Sequence, residues 1–128
     1  MSETFPLDVE RFLAEHIDSI AQLEILLLLH ADPAAEATAA TVARALAVDA
    51  AWASTELHDL ATRGLLAQGT NGTAPAFRFA PHTVELRDTI ERVLRMFRER
   101  RVTVIDFVAS KPSRHIRGFA DAFRFRKD

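Results

Sequence analysis

The chain has 128 residues, is 48% apolar, carries a formal net charge of −2 and contains no cysteine. That length fits one domain with an ordinary core, and the lack of cysteine excludes a disulfide scaffold and any thiolate metal site. Charge is unevenly spread, −7 over residues 1–36, zero over 37–81 and +5 over 82–128; either the two ends pair, within one chain or across a dimer, or the basic end meets a polyanion.

The N-terminal stretch MSETFPLDVE has no basic segment followed by an apolar one, so no signal peptide is expected. The most apolar run, Ile25 to Leu29, is far short of the ~20 residues of a membrane span, and the chain reads as soluble and cytoplasmic. Val9, Phe12, Leu13 and His16 or Ile17 follow Pro6 at helical spacing and predict a first amphipathic helix. Ser19 with Gln22 makes a capping-box pattern for a second helix, IAQLEILLLLH, apolar nearly all round and expected in the middle of the core. ADPAAEATAA shows no periodicity and reads as a loop. Thr38 or Thr41 then caps a short helix burying Val42, Ala43 and Leu46. Asp49 caps the next, AAWASTELHDLATRG, with Ala53, Leu57 and Leu60 inward and Gly64 as its stop. Two helices three residues apart make a helix-turn-helix.

LLAQGTNGTAPAFRFAP predicts a β-hairpin, with Asn71-Gly72 at or near its tip and Phe77 and Phe79 alternating along the return strand. Pro75 implies that this strand has an open edge near its start. A hairpin after a helix-turn-helix is a winged helix. The expected fold is therefore mainly α with a small β-hairpin: an N-terminal helix (1–18), a winged helix-turn-helix (19–81), and a long C-terminal helix with a docking tail (82–128).

From Thr83 to Ala109 there is no proline or glycine, and Leu86, Ile90, Val93, Leu94, Phe97, Val104, Ile105 and Val108 keep approximate helical spacing. An uninterrupted helix there is ~40 Å long, so its apolar stripe asks for a partner, most economically a second copy in a two-fold dimer. The other reading is a break near Arg100-Arg101-Val102, with the second half folding back. Beyond Pro112, Ser113 caps a short segment with Ile116, Phe119 and Phe123 on one face. The expected dimerisation residues are Leu86, Ile90, Val93, Leu94, Phe97, Ile105, Phe119 and Phe123.

TVARALAVDAAWASTELHDLATRGLL, Thr41 to Leu66, resembles winged-helix transcriptional regulators of the broad bacterial MarR-like type. Val42, Ala43, Leu46, Val48, Asp49, Ala53, Leu57, Leu60, Gly64, Leu65 and Leu66 fill the places of that pattern. It departs at Ala47, where the turn often has glycine, and on the surface of the reading helix, which has no arginine or lysine. The resemblance implies a dimeric DNA-binding regulator acting on an inverted repeat of double-stranded DNA.

On physical grounds DNA affinity rests on cations at phosphates, and the helix-turn-helix and wing offer Arg44, Arg63 and Arg78, with His58 as a conditional fourth. Ala50, Ala51, Trp52, Ser54, Thr55 and His58 are the candidates for base edges: Ser54 and Thr55 by hydrogen bonds, Trp52 against a thymine methyl or a sugar. Glu56 and Asp59 occupy or flank the outer face and oppose phosphate. Further cations come from Arg92 to Arg101 if that stretch runs along the DNA; otherwise it is a solvated helix face. The alternative is a winged helix turned to protein binding, with Trp52 among alanines as the anchor. A third reading places a small apolar effector near Phe97 or Phe107. Five scattered histidines lack the spacing of a metal site, and no phosphate loop or nucleophile elbow occurs. No enzyme activity, metal or cofactor is expected.

Overall fold

A computed structural model of the chain describes residues 6–110. The elements are α1 (Leu7–His16), α2 (Ile20–His30), β1 (Ala37–Thr38), α3 (Ala39–Leu46), α4 (Ala50–Thr62), β2 (Leu66–Asn71), β3 (Ala74–Phe79), α5 (Val84–Glu99) and α6 (Arg101–Ser110). Polar caps start four of the helices. Ser19 accepts from the Gln22 N–H, Thr38 from Thr41, Asp49 from Trp52 and Thr83 from Leu86. Each satisfies a backbone donor that the helix itself cannot, an effect worth ~1 kcal/mol. Between α3 and α4, Ala47 turns the chain in the left-handed region (φ 59°, ψ 49°), the conformation that favours glycine. Gly64 follows α4 at φ +84°.

β2 and β3 pair antiparallel from Leu66 opposite Phe79 to Asn71 opposite Ala74. Gly72-Thr73 is thus a two-residue turn, with Gly72 at φ +68°, as a primed hairpin turn demands. The sheet gains a third strand where a loop was expected. In β1, Ala37 lies opposite Phe77 and Thr38 opposite Ala76, giving the order β1-β3-β2. Two residues in an alanine-rich run carry no alternation that could reveal a strand. β1 stops at Thr38, so β3 has no second neighbour at Pro75, the open edge that the proline implies.

The C-terminal helix is not continuous. It breaks at Arg100 (φ −133°, ψ 57°), and α6 folds back on α2 and α5. Val104 and Val108 thereby join a single core with Val9, Phe12 and Leu13 of α1, Leu23, Ile25 and Leu26 of α2, and Ile90, Val93, Leu94 and Phe97 of α5. This corrects four of the expected dimerisation residues. Ile90, Val93, Leu94 and Phe97 retain no exposed surface within one chain, so the stripe's partner is the chain itself. Full burial of such a side chain stabilises by ~1.5–3 kcal/mol, more than one straight helix could draw from solvent. Leu86 and Ile105 pack on the core's rim. Phe119 and Phe123, with the rest of the tail, lie outside the described residues.

The charge asymmetry is partly met inside the chain. Asp8 pairs with Arg92 and Glu24 with Arg101, linking α1 to α5 and α2 to α6. The hydrogen bond from Arg92 holds the Asp8 carboxyl below its ordinary range. Surface pairs of this kind contribute little to stability, but they decide which arginines remain available. Among the described residues no helix is long and apolar enough to cross a membrane.

Candidate nucleic-acid interface

α4 is amphipathic in three sectors. Ala53, Leu57 and Leu60 are fully buried; Ala50, Ala51, Thr55, His58 and Thr62 are exposed; Trp52, Ser54, Glu56 and Asp59 are half-buried at the flanks. Two of the exposed side chains are tied to their own helix. The Thr55 hydroxyl donates to the Ala51 carbonyl (3.2 Å), and His58 Nδ1 lies 2.8 Å from the Ser54 carbonyl. A carbonyl oxygen can only accept, so Nδ1 carries the proton and Nε2 of the neutral ring is left as an acceptor. The His58 ring also stands edge-on to Phe77 of β3, centroids 5.0 Å apart, which docks the outer face of α4 against the wing.

The acidic flank is where the structure departs from the sequence-based expectation. Gln22, only 1% exposed, donates from Nε2 to Glu56 (2.8 Å) and Asp59 (3.1 Å). Its Oε1 accepts the Asp18 N–H at 2.8 Å. Arg63 follows α4, its Nη2 2.7 Å from Asp18 and 2.9 Å from Asp59, while Nη1 donates to the His16 carbonyl at the end of α1. Glu56, Asp59 and Arg63 are spaced by three and four residues, so they form one stripe, and that stripe lies half-buried against the corner between α1 and α2. Two assignments are therefore corrected. Glu56 and Asp59 are tied to the body of the domain instead of opposing phosphate, and Arg63, its side chain only 10% exposed, is engaged in ion pairs instead of being available to DNA.

A groove of about 550 Å³ separates this flank from the corner, lined by Asp18, Ser19, Gln22, Trp52, Thr55, Glu56, Asp59 and Arg63. Trp52 is a wall of this groove and not a free-standing anchor. Of the expected phosphate-binding residues, Arg44 on α3 and Arg78 on β3 are exposed. The basic stretch of α5 and α6 is partly committed, since Arg92 and Arg101 hold acids and Arg101 also lies over the Phe97 ring at 4.4 Å. Phe97 itself is a core residue. Two residues escaped the sequence argument although signals existed. Thr62 continues the exposed row four residues after His58, and Gln22 is a lone amide in a nearly all-apolar helix.

No protein-family model and no curated protein sequence matches the chain. Solved structures do resemble it. The homodimeric winged helix-turn-helix DNA-binding domain of a possible ArsR-family regulator from Mycobacterium bovis is 21% identical, with TM-score 0.54, covering 77% of this chain and 92% of that one. MepR, a transcription regulator of the Staphylococcus aureus multidrug efflux pump MepA, is 18% identical with TM-score 0.56, covering 93% and 84%. A MarR transcriptional regulator from Methanosarcina mazei is 10% identical with TM-score 0.55, covering 94% and 83%. At these identities the likeness is one of fold, and the fold is the winged helix.

Proposed function

We propose that the chain is a DNA-binding transcriptional regulator that reads the major groove with α4. The observation that carries this reading is the acid-free outer row Ala51, Thr55, His58 and Thr62, left clear because Glu56 and Asp59 are held by Gln22 and Arg63. Small and uncharged side chains let the helix approach base edges closely. The hydroxyl proton of Thr55 and the ring proton of His58 are both spent on α4 carbonyls, so these two side chains offer acceptors, which suit the amino groups of adenine and cytosine. Arg44 and Arg78 supply phosphate contacts. The winged-helix regulators that the fold resembles give the reading its context.

Action as a two-fold dimer on an inverted repeat belongs to the same proposal. Its interface is not the buried stripe of α5; the apolar surface left for it includes Leu7, Val84 and Val102, each at least 67% exposed. Half-sites of such a dimer lie about one helical turn, ~34 Å, apart. The test is a binding isotherm on mixed-sequence and selected DNA at two salt concentrations. Affinity at low salt no tighter than ~10⁻⁴ M removes the basis of the proposal. Given binding, Arg78→Ala weakens it on every sequence, whereas Thr55→Ala shifts the preferred sequence; equal losses on all sequences from both variants would refute these roles.

The groove beside Trp52 favours one second reading. An indole wall with the carboxylates of Asp18, Glu56 and Asp59 fits a basic side chain of a protein partner. Absence of DNA binding, together with an intact fold, would move the conclusion there.

A further inference from the structure

We propose that Arg63 and Gln22 are positioning residues of the reading helix: they hold the Glu56 and Asp59 carboxylates against the α1–α2 corner and keep that negative charge off the exposed face of α4. The inference rests on α4 being the DNA-reading element, but the geometry beneath it does not. Three carboxylates, Asp18, Glu56 and Asp59, converge on one guanidinium and one amide. Gln22 is fully used. Both carboxylates on α4 take hydrogen bonds from its Nε2, and its Oε1 receives the Asp18 N–H. Arg63 reaches further, to a carbonyl in the last turn of α1, so α4 is moored to the corner at both its middle and its end.

Stability alone is a poor reason for this arrangement. The Arg63 side chain is nine-tenths buried and its Nε has no hydrogen-bond partner among the described residues. A buried guanidinium with an unsatisfied donor bears a desolvation cost that its ion pairs must first offset. Replacing such a group by an apolar one of similar volume is often neutral for stability. What the apolar group cannot do is hold a carboxylate: Arg63 holds Asp59 together with Asp18, and Gln22 holds Glu56 and Asp59. Once released, Glu56 and Asp59 take hydrated, extended rotamers beside Thr55 and His58, where an approaching phosphate backbone meets them.

The test uses Gln22→Leu, which changes no charge, Arg63→Met, and the triple variant Arg63→Met/Glu56→Gln/Asp59→Asn. Trp52 is the single tryptophan and lines the same groove as both acids, so the ratio of caesium to iodide quenching of its emission reports the local charge without DNA. Gln22→Leu is expected to change that ratio about twofold and to weaken binding to a mixed-sequence duplex about tenfold. The triple variant is expected to restore the duplex affinity lost in Arg63→Met. Far-ultraviolet circular dichroism melts identify any variant that fails to fold, and Gln22→Met then replaces Gln22→Leu. An unchanged quenching ratio in a folded Gln22 variant overturns the proposal. So does a loss in Arg63→Met that the triple variant leaves unrecovered, which would make Arg63 a phosphate contact and flatten the salt dependence by ~0.9 in slope. If the wild type binds no DNA, the proposed function fails, while the quenching measurement still decides whether Gln22 and Arg63 position the acids.

Discussion

At the scale of single residues, the sequence is most informative where one side chain answers one backbone need. Ser19 and Asp49 were legible as caps, and Thr38 as one of two candidates with Thr41, because an oxygen-bearing side chain before an apolar run has few other uses. Gln22 was legible only in part. Its place near Ser19 suggested a capping box, but its oxygen turns to the Asp18 N–H and its nitrogen to two acids more than thirty residues away. No local pattern encodes a partner so distant in sequence. Ala47 is the residue that departs from its pattern, and the departure has a cost. An alanine at φ 59° gives up ~1–2 kcal/mol to left-handed strain, against ~0.4–1 kcal/mol that glycine loses through the unfolded chain. Ala47→Gly is therefore expected to stabilise the domain by about 0.5–1 kcal/mol, read as a raised midpoint in urea; a lowered midpoint would show that the turn is under no such strain.

Among elements, α4 and the hairpin were legible because periodicity and turn chemistry coincide. Ala53, Leu57 and Leu60 set the phase of α4, and Asn71-Gly72 marked the tip. What periodicity does not resolve is the flank: a helix has an inner and an outer face, and residues between them, such as Glu56 and Asp59, go to whichever neighbour packs there. The break at Arg100 was legible only as an alternative, since no proline or glycine marks it. It arises from packing, because folding α6 back buries Val104 and Val108 in the chain's own core. The hairpin allows a clean separation of backbone from contact. At Gly72 an added Cβ meets nothing within 4 Å, yet φ is +68°. Gly72→Ala is accordingly expected to destabilise by about 0.5–1 kcal/mol, strain less the unfolded-chain entropy that alanine removes, seen in thermal melts; a neutral result would mean that the turn relaxes to another type.

For the molecule as a whole, the opposition of an acidic start and a basic end is met in part within one chain, by Asp8 with Arg92 and Glu24 with Arg101. Among the described residues, ion pairs engage Arg63, Arg92 and Arg101, while Arg44 and Arg78 stand exposed on α3 and on the wing. If Arg44 and Arg78 make the phosphate contacts proposed above, log K against log salt is expected to fall with a slope near −2 per chain; a much steeper slope would mean that the C-terminal arginines take part as well. The form of the wing sharpens this point. Its two-residue turn, Gly72-Thr73, is uncharged, and Arg78 stands four residues back from the first residue of β3, ~13 Å from the tip at 3.3 Å per residue. A narrow, strongly negative minor groove is sensed by a cation inserted into it, and this hairpin has none to insert. The wing would lean on the sugar-phosphate wall rather than probe the groove beyond it, and runs of A·T flanking the bound site would leave its affinity untouched.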